Sequence, residues 1–329
     1  MSTASTTLPS AGPAAGSRSF FSRLREGDEI ARLITFLFAA SVVFITILLV
    51  FELWQGSVLP RHKFGFAFFR TSVWDPVFEQ FGALPFIYGT VVTSAVALLI
   101  AVPLGIGAAI FLAELAPARV SDTLEFFIDL LAAVPSVIYG LLGLFIVVPL
   151  MREYIQPALK NTLGFLPFFK GPAYGLGFLT AGIVLAIMVI PYIISVSREV
   201  LLSVPRDQRE AALALGSTRW ESTWKIVVPF ARTGIMGSIF LALARALGET
   251  MAVSMVIGNA PVISASLFSP GDSIASTIAN QFSEATGELY TQSLIELGLV
   301  LFLLTFLLNG LARILILVTS QRGSGMGNA

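Results

Sequence analysis

Two opposite charges, Arg245 and Glu249, stand four residues apart deep inside the apolar segment from Pro229 to Asp272. A charge in hydrocarbon costs at least about 2.5–3.5 kcal/mol, so the pair needs a chemical reason. A guanidinium presents a planar fork of donors that matches an oxyanion. A bare carboxylate beside it would repel that anion. Its expected role is therefore restraint: pairing with Arg245 in the empty state and giving way when the anion arrives. On a continuous helix the two share one face and point into a bundle, with Thr250 next to them. With entry into hydrocarbon near Gly234, Arg245 lies about 11 residues in, roughly 16 Å, at the bilayer midplane. A second polar locus is expected at Pro135, where Ser136 and Tyr139 supply hydroxyls beside a backbone hydrogen bond that proline removes.

Other chemistry is excluded by what the chain lacks. No Gly-x-x-x-x-Gly-Lys-Ser/Thr sequence occurs, so there is no P-loop for ATP. The absence of cysteine removes disulfides, iron–sulfur ligation and thiol catalysis. The single histidine, His62, sits in a loop between Arg61 and Lys63, short of the ligand cluster that zinc requires. No catalytic residue, cofactor or metal is expected, and a net charge of zero gives no footprint for nucleic acid. Asp122, Glu125 and Asp129 suit the start of a helix. Glu296 is a weaker pathway candidate, expected near the outer end of the last helix and solvated.

The elements that position these residues are membrane helices. The chain is 56% hydrophobic and 12% charged, where soluble domains carry about 25% charged residues. Charge-free runs cover Leu33–Phe51, Phe81–Ala113, Leu130–Met151, Gly171–Ser197, Thr250–Gly271 and Leu297–Ala312. Roughly 20 apolar residues span a bilayer, so the expected fold class is an all-α membrane protein. Its six transmembrane helices fall at about 31–53, 86–113, 126–150, 174–197, 230–258 and 293–318. Of the loop and terminal lysines and arginines, 13 fall on the side that carries both termini and the 198–232 loop, against 6 on the other. Both termini are therefore expected in the cytoplasm. Residues 1–25 are expected to form a disordered cytoplasmic tail, 26–320 the transmembrane domain and 321–329 a C-terminal tail. The segment from Trp54 to Pro85 alternates aromatic and polar residues, as at the outer interface. Pro103 and Pro191 mark kinks, and Gly105, Gly107, Gly140 and Gly143 allow close helix contact.

The 198–229 loop contains a short helix. Pro205 suits its first turn, Asp207 the helix dipole and Gly216 the C′ position that ends it. Ala212, Leu213 and Leu215 cannot reach the bundle core from such a loop and are expected to pack on something outside the chain.

Glu210-Ala211-Ala212, Gly216, Ile226 and Pro229 resemble the coupling-loop motif of ABC importer permease subunits in both residue type and spacing. Val228 stands where that family usually has Leu, and keeps an aliphatic. Ala133-Val134-Pro135-Ser136-Val137-Ile138-Tyr139-Gly140 and Arg245-Ala246-Leu247-Gly248-Glu249-Thr250 resemble the phosphate-specific importers. Trp74-Asp75-Pro76 and the stretch from Gln80 to Thr90 look like their C-type permease subunit, and the likeness runs from about residue 25 to 320. The resemblance implies a type I ABC importer permease fold in the cell membrane of a prokaryote. It also implies four partners in the assembly: a homologous A-type permease, two cytoplasmic P-loop ATPases and an extracytoplasmic phosphate-binding protein. Glu210, Ala211, Ala212 and Gly216 would then form the ATPase contact. A permease for sulfate or molybdate would share the coupling loop, and an ion-coupled secondary transporter would leave it unexplained.

Overall fold

The structure, a computed structural model, describes residues 28–324. A boundary between two compact units falls at Glu52–Leu53. The first unit holds most of α1 (Asp28–Gln55), a helix whose large apolar side chains Phe36, Phe38 and Phe44 are exposed. Its Thr35 and Thr46 hydroxyls donate back to the carbonyls of Ala31 and Val42, leaving no unpaired hydroxyl on an apolar helix. The N-terminal tail expected over 1–25 lies outside the described residues.

Among the described residues, six helices are long and apolar enough to cross a membrane: Glu29–Gln55, Leu84–Leu115, Ser136–Leu163, Phe178–Leu202, Arg219–Gly248 and Glu288–Ile314. Four agree closely with the charge-free runs. The third and fifth do not. Over the predicted third helix, an amphipathic helix α4 (Ala118–Ala132) precedes a break at Pro135, which is extended at φ −58°, ψ 140°. The span then begins with α5 (Ser136–Leu142) and runs through π turns into α6 (Gln156–Leu163), carrying Arg152, Glu153 and Lys160 with it. The charge-free run stopped at Met151, so the prediction stopped there too. The last helix, named below, continues to Ser324 into the expected C-terminal tail.

In the second unit α1 is followed by α2 (Val58–Phe64) and a hairpin of two short antiparallel strands, β1 (Trp74–Asp75) and β2 (Gln80–Phe81), in register Trp74↔Phe81. The hairpin turns because the Asp75 carboxylate accepts from the backbone N–H groups of Val77 and Phe78. Trp74, expected at a lipid interface, is instead buried against Phe81, Phe86 and Tyr290, with ring centroids 4.9, 5.0 and 6.3 Å away. Its indole N–H donates to Gln281 Oε1, as does the Tyr290 hydroxyl. These bonds attach the hairpin to α12 (Ile274–Gln281) and α13 (Glu288–Ser324).

The core forms around α3 (Leu84–Ile110) and α7 (Phe178–Leu202). Small residues set their separation: a Cβ on Gly105 would come within 2.7 Å of Ile193, and one on Gly182 within 2.5 Å of Val96. Gly107, by contrast, has open space where a Cβ would lie and makes no such contact. Val184, Leu185, Met188, Val189 and Ile193 of α7 are fully buried.

Opposite the 198–229 loop, residues 255–273 form a strap held mainly by backbone bonds. Leu179 N–H donates to Leu267, Phe178 N–H to Ser269 and Gly177 N–H to Val256, while the Tyr88 hydroxyl donates to Ser264. Gly89 and Thr90 close it. A Cβ on Gly89 would sit 1.8 Å from the Asp272 carbonyl oxygen, and the Ile274 N–H donates to the Thr90 hydroxyl. Burial pushes the Asp272 carboxyl up to about 6 from its ordinary 3.8, against a hydrogen bond from the Ser273 N–H that favours the anion.

Two outcomes follow. Gly89→Ala forces the strap away from α3 at about 1–3 kcal/mol, so it should lower the melting temperature of the detergent-purified protein by several degrees. Gly107→Ala should leave it unchanged or slightly raise it. For Asp272, the folded chain favours the neutral acid. That contribution is complete below the unfolded value of 3.8 and is lost as pH rises through about 6. Asp272→Asn should therefore flatten the fall in melting temperature between about pH 4 and about pH 7. A slope equal to the parent's would contradict this.

Candidate functional site

Arg245 lies in the last turn of α10 (Val228–Gly248). The helix stops at Gly248 because Glu249 is extended, at φ −70°, ψ 126°, and a four-residue helix α11 (Met251–Ser254) follows. The continuous helix expected over 230–258 is therefore broken beside its charged pair. With the helical turn lost, Arg245 and Glu249 no longer share a face. The Glu249 carboxylate instead accepts the backbone N–H of Ala252 at 3.2 Å and caps α11. Among the described residues, ion pairs join Lys63–Glu79, Arg198–Glu125, Arg209–Glu114 and Lys225–Glu221, and none joins Arg245 to Glu249. The expected restraining pair is not formed.

The Arg245 guanidinium lies over the Tyr192 ring, 4.0 Å from its centroid. Such a stack contributes about 0.5–1 kcal/mol when exposed and about 2 when desolvated. It leaves the guanidinium edge free, and Nε is buried without a hydrogen-bond partner.

The second break is brought to the first. A Cβ on Gly140 of α5 would come within 2.6 Å of Met255 Sδ and 3.1 Å of Ala252 Cα, so glycine there lets α5 lie against α11. The Tyr139 hydroxyl donates to the Leu131 carbonyl at 2.8 Å, and the Tyr192 hydroxyl to the Ala132 carbonyl at 2.9 Å. Tyr192 thus satisfies the Ala132 carbonyl at the end of α4, and Tyr139 adds a second donor to the Leu131 carbonyl, which also accepts the Val134 N–H. Tyr139 is within electrostatic reach of both Tyr192 and Arg245. Ser136 takes the first turn of α5, and the Thr250 hydroxyl donates to the Gly248 carbonyl at 3.3 Å. Arg245, Glu249, Thr250 and Tyr139 accordingly gather at paired helix breaks, with Ser136 at the start of the second. Glu296 is elsewhere: it is 2% exposed on α13 rather than solvated, and its Oε2 has no hydrogen-bond partner.

Tyr192 was not legible as a site residue. Its only local signal is a polar-tipped aromatic directly after Pro191 in a charge-free helix.

At the other candidate locus, α8 (Arg206–Ala214) closes as expected. Gly216, at φ +86°, ends it in a Schellman arrangement: the Ser217 N–H donates to Ala212 and the Gly216 N–H to Leu213. Thr218 and Glu221 then form a capping box that opens α9 (Arg219–Ser222), so the fifth span starts well before residue 230. Glu210 and Ala211 are exposed and Leu215 is 89% exposed, while Ala212 is 2% exposed and packs inside the chain rather than on a partner. Trp220 and Trp224 stack edge to face on the adjoining surface, both exposed.

Arg209 fixes this helix to the bundle. Its Nη2 lies 2.8 Å from Glu114 Oε1 in the turn that ends α3, and it also donates to the carbonyls of Leu201 and Val204 at the end of α7. Both charges are largely shielded, at 20% and 10% side-chain exposure. Arg198 similarly joins α7 to α4 through Glu125 and Ser121. Breaking the Arg209–Glu114 pair from one side strands a shielded charge and costs about 3 kcal/mol. Arg209→Ala should thus speed hydrogen exchange of the 204–216 amides about a hundredfold. Unchanged protection would show that the pair does not hold the loop.

A bundle of membrane helices, two of them broken at one polar locus, with a separately braced loop helix at one end, is the architecture of an ABC importer permease. The chain belongs to the binding-protein-dependent transport system inner membrane component family, whose profile matches residues 101–317. It is 48% identical to a phosphate transport system permease protein PstC of Mesorhizobium japonicum, over 86% of this chain and 89% of the relative. A PstC of Xylella fastidiosa is 49% identical over 87% and 90%, and a probable PstC of Methanocaldococcus jannaschii 41% over 87% and 92%. Among solved structures, a bacterial alginate ABC transporter superposes with a TM-score of 0.58 at 16% identity, covering 88% of this chain and 96% of that one. That likeness concerns the fold.

Proposed function

We propose that this chain is the C-type permease subunit of an ATP-driven importer and translocates inorganic phosphate across the cell membrane of a prokaryote. The observation that carries the reading is Arg245: a guanidinium at a double helix break, stacked on an aromatic ring and free of any carboxylate. The PstC relatives support phosphate as its anion. A phosphate reaching the break exchanges its water for bidentate bonds from the guanidinium. Glu249, held on the α11 N–H rather than on Arg245, places a negative charge beside the path and keeps occupancy from becoming too tight to release. Thr250, Ser136 and Tyr139 line the same locus.

In this reading the basic 198–229 loop and both termini are cytoplasmic. Glu210, Ala211, Gly216 and Leu215 meet one of two partner P-loop ATPases, with Ala212 as internal packing. The Arg209–Glu114 pair passes the movement of that contact to α3 and α7. A homologous A-type permease completes the pathway, and an extracytoplasmic phosphate-binding protein delivers the anion. The chain supplies no nucleotide site of its own.

The test uses proteoliposomes holding the complete importer. Arg245→Gln should cut phosphate uptake about a hundredfold with assembly at normal levels, the loss of a charged bidentate contact being worth about 3 kcal/mol. Glu210→Lys should abolish phosphate-stimulated ATP hydrolysis with the bundle still inserted. Normal uptake by the Arg245 variant sinks the pathway assignment, and equal uptake of sulfate by the parent sinks the choice of phosphate.

A further inference from the structure

We propose that Tyr192 is the positioning residue for Arg245: its ring aims the guanidinium into the pathway, and its hydroxyl ties that aim to the end of α4. The proposal rests on the reading of Arg245 as the anion-binding group.

Arg245 has several flexible torsions, and among the described residues no hydrogen bond or ion pair holds its guanidinium. The stack on Tyr192, 4.0 Å from the ring centroid, is the contact that restricts it. A cation over a ring face is held from below, so its N–H edge stays available to an anion. A carboxylate partner would occupy that same edge.

The ring itself is fixed twice. Its hydroxyl donates to the Ala132 carbonyl at 2.9 Å, which removes the freedom to swing about its two side-chain torsions. Its backbone is locked to α10 by two further contacts along α7. Ser197 and Ser238 hydroxyls lie 2.7 Å apart, both buried, and Gly234 seats against Val200 so closely that a Cβ would meet it at 2.3 Å. Helices α7 and α10 therefore run antiparallel in a set register that puts residue 192 beside residue 245.

The carbonyl that Tyr192 grips belongs to a helix that is itself tied down. Arg198 reaches Glu125 and Ser121 of α4, and the Ser195 hydroxyl donates to Asp129 at 3.3 Å. A shift of α4 relative to α7 loosens these bonds together and turns the ring beneath Arg245. The ring is thus the orienting face, and the hydroxyl is the link that reads where α4 stands.

The experiment measures phosphate transported per ATP hydrolysed by the complete importer in proteoliposomes, with its binding protein present. A ratio is insensitive to how much complex assembles, so a merely structural defect does not move it. Tyr192→Met keeps the bulk and removes the π face; it should lower the ratio about tenfold, between the values for an exposed and a fully desolvated cation–π contact. Tyr192→Phe keeps the face and should stay within about threefold of the parent. In an Arg245→Gln background, Tyr192→Met should cause no further loss, because it acts through the arginine. An unchanged ratio in Tyr192→Met, alongside a collapsed one in Arg245→Gln, overturns the role of Tyr192 alone. An unchanged ratio in Arg245→Gln overturns the reading of Arg245 and this proposal with it. Equal collapse in the Met and Phe variants overturns the stacking role. If the Met variant fails to assemble, Tyr192→Leu carries the same comparison.

Discussion

Within hydrocarbon, every backbone polar group and every charge has to find a partner inside the protein, because lipid offers none. The rest of this structure answers to that constraint at one place. Breaking the chain at Pro135 and again at Glu249 exposes helix-end carbonyls and amides, and the protein satisfies them with groups brought from elsewhere. Two tyrosine hydroxyls take the Leu131 and Ala132 carbonyls, and the Glu249 carboxylate takes the Ala252 amide. Glu249, drawn off the helix face that carries Arg245, forms no ion pair with it. The cation that remains is stabilised by a ring face rather than by a carboxylate.

The end that carries α8 is held by a different interaction. The loop helix α8 buries little of its own surface and could not hold a fixed orientation by packing alone. Arg209 replaces that packing with a shielded ion pair to Glu114 and two carbonyl contacts at the end of α7. The helix is therefore braced against the two helices at the centre of the core while Glu210 and Leu215 remain outward. These contacts link α8 directly to the ends of α3 and α7, and α7 carries Tyr192. The opposite end is closed by backbone: the strap from 255 to 273 lies on α3 only because Gly89 leaves room for the Asp272 carbonyl.

Much of this was determined by the sequence by itself. Run lengths set the number of membrane helices, because hydrocarbon thickness is a fixed ruler. The α8 cap was legible at Gly216, since a left-handed C′ position is a local demand that glycine meets cheaply. The Glu-Ala-Ala spacing carried the family. The glycine and threonine in the Tyr88-Gly89-Thr90 stretch marked a subfamily without disclosing their purpose, which depends on a segment far along the chain.

What only the tertiary structure decided is where helices stop and which side chains meet. The fifth span was displaced at both ends: the capping box of Thr218 and Glu221 opened it early, and the extended Glu249 closed it early. Hydropathy alone cannot register either event, because an apolar stretch scores alike whether straight or broken. Spacing placed Arg245 and Glu249 on one face, and that inference failed with the continuous helix it assumed. Tyr192 and Glu114 were invisible for the same physical reason. Each acts on a residue distant in sequence, and only the packing of α7 against α10, and of α8 beneath α3, brings donor to acceptor.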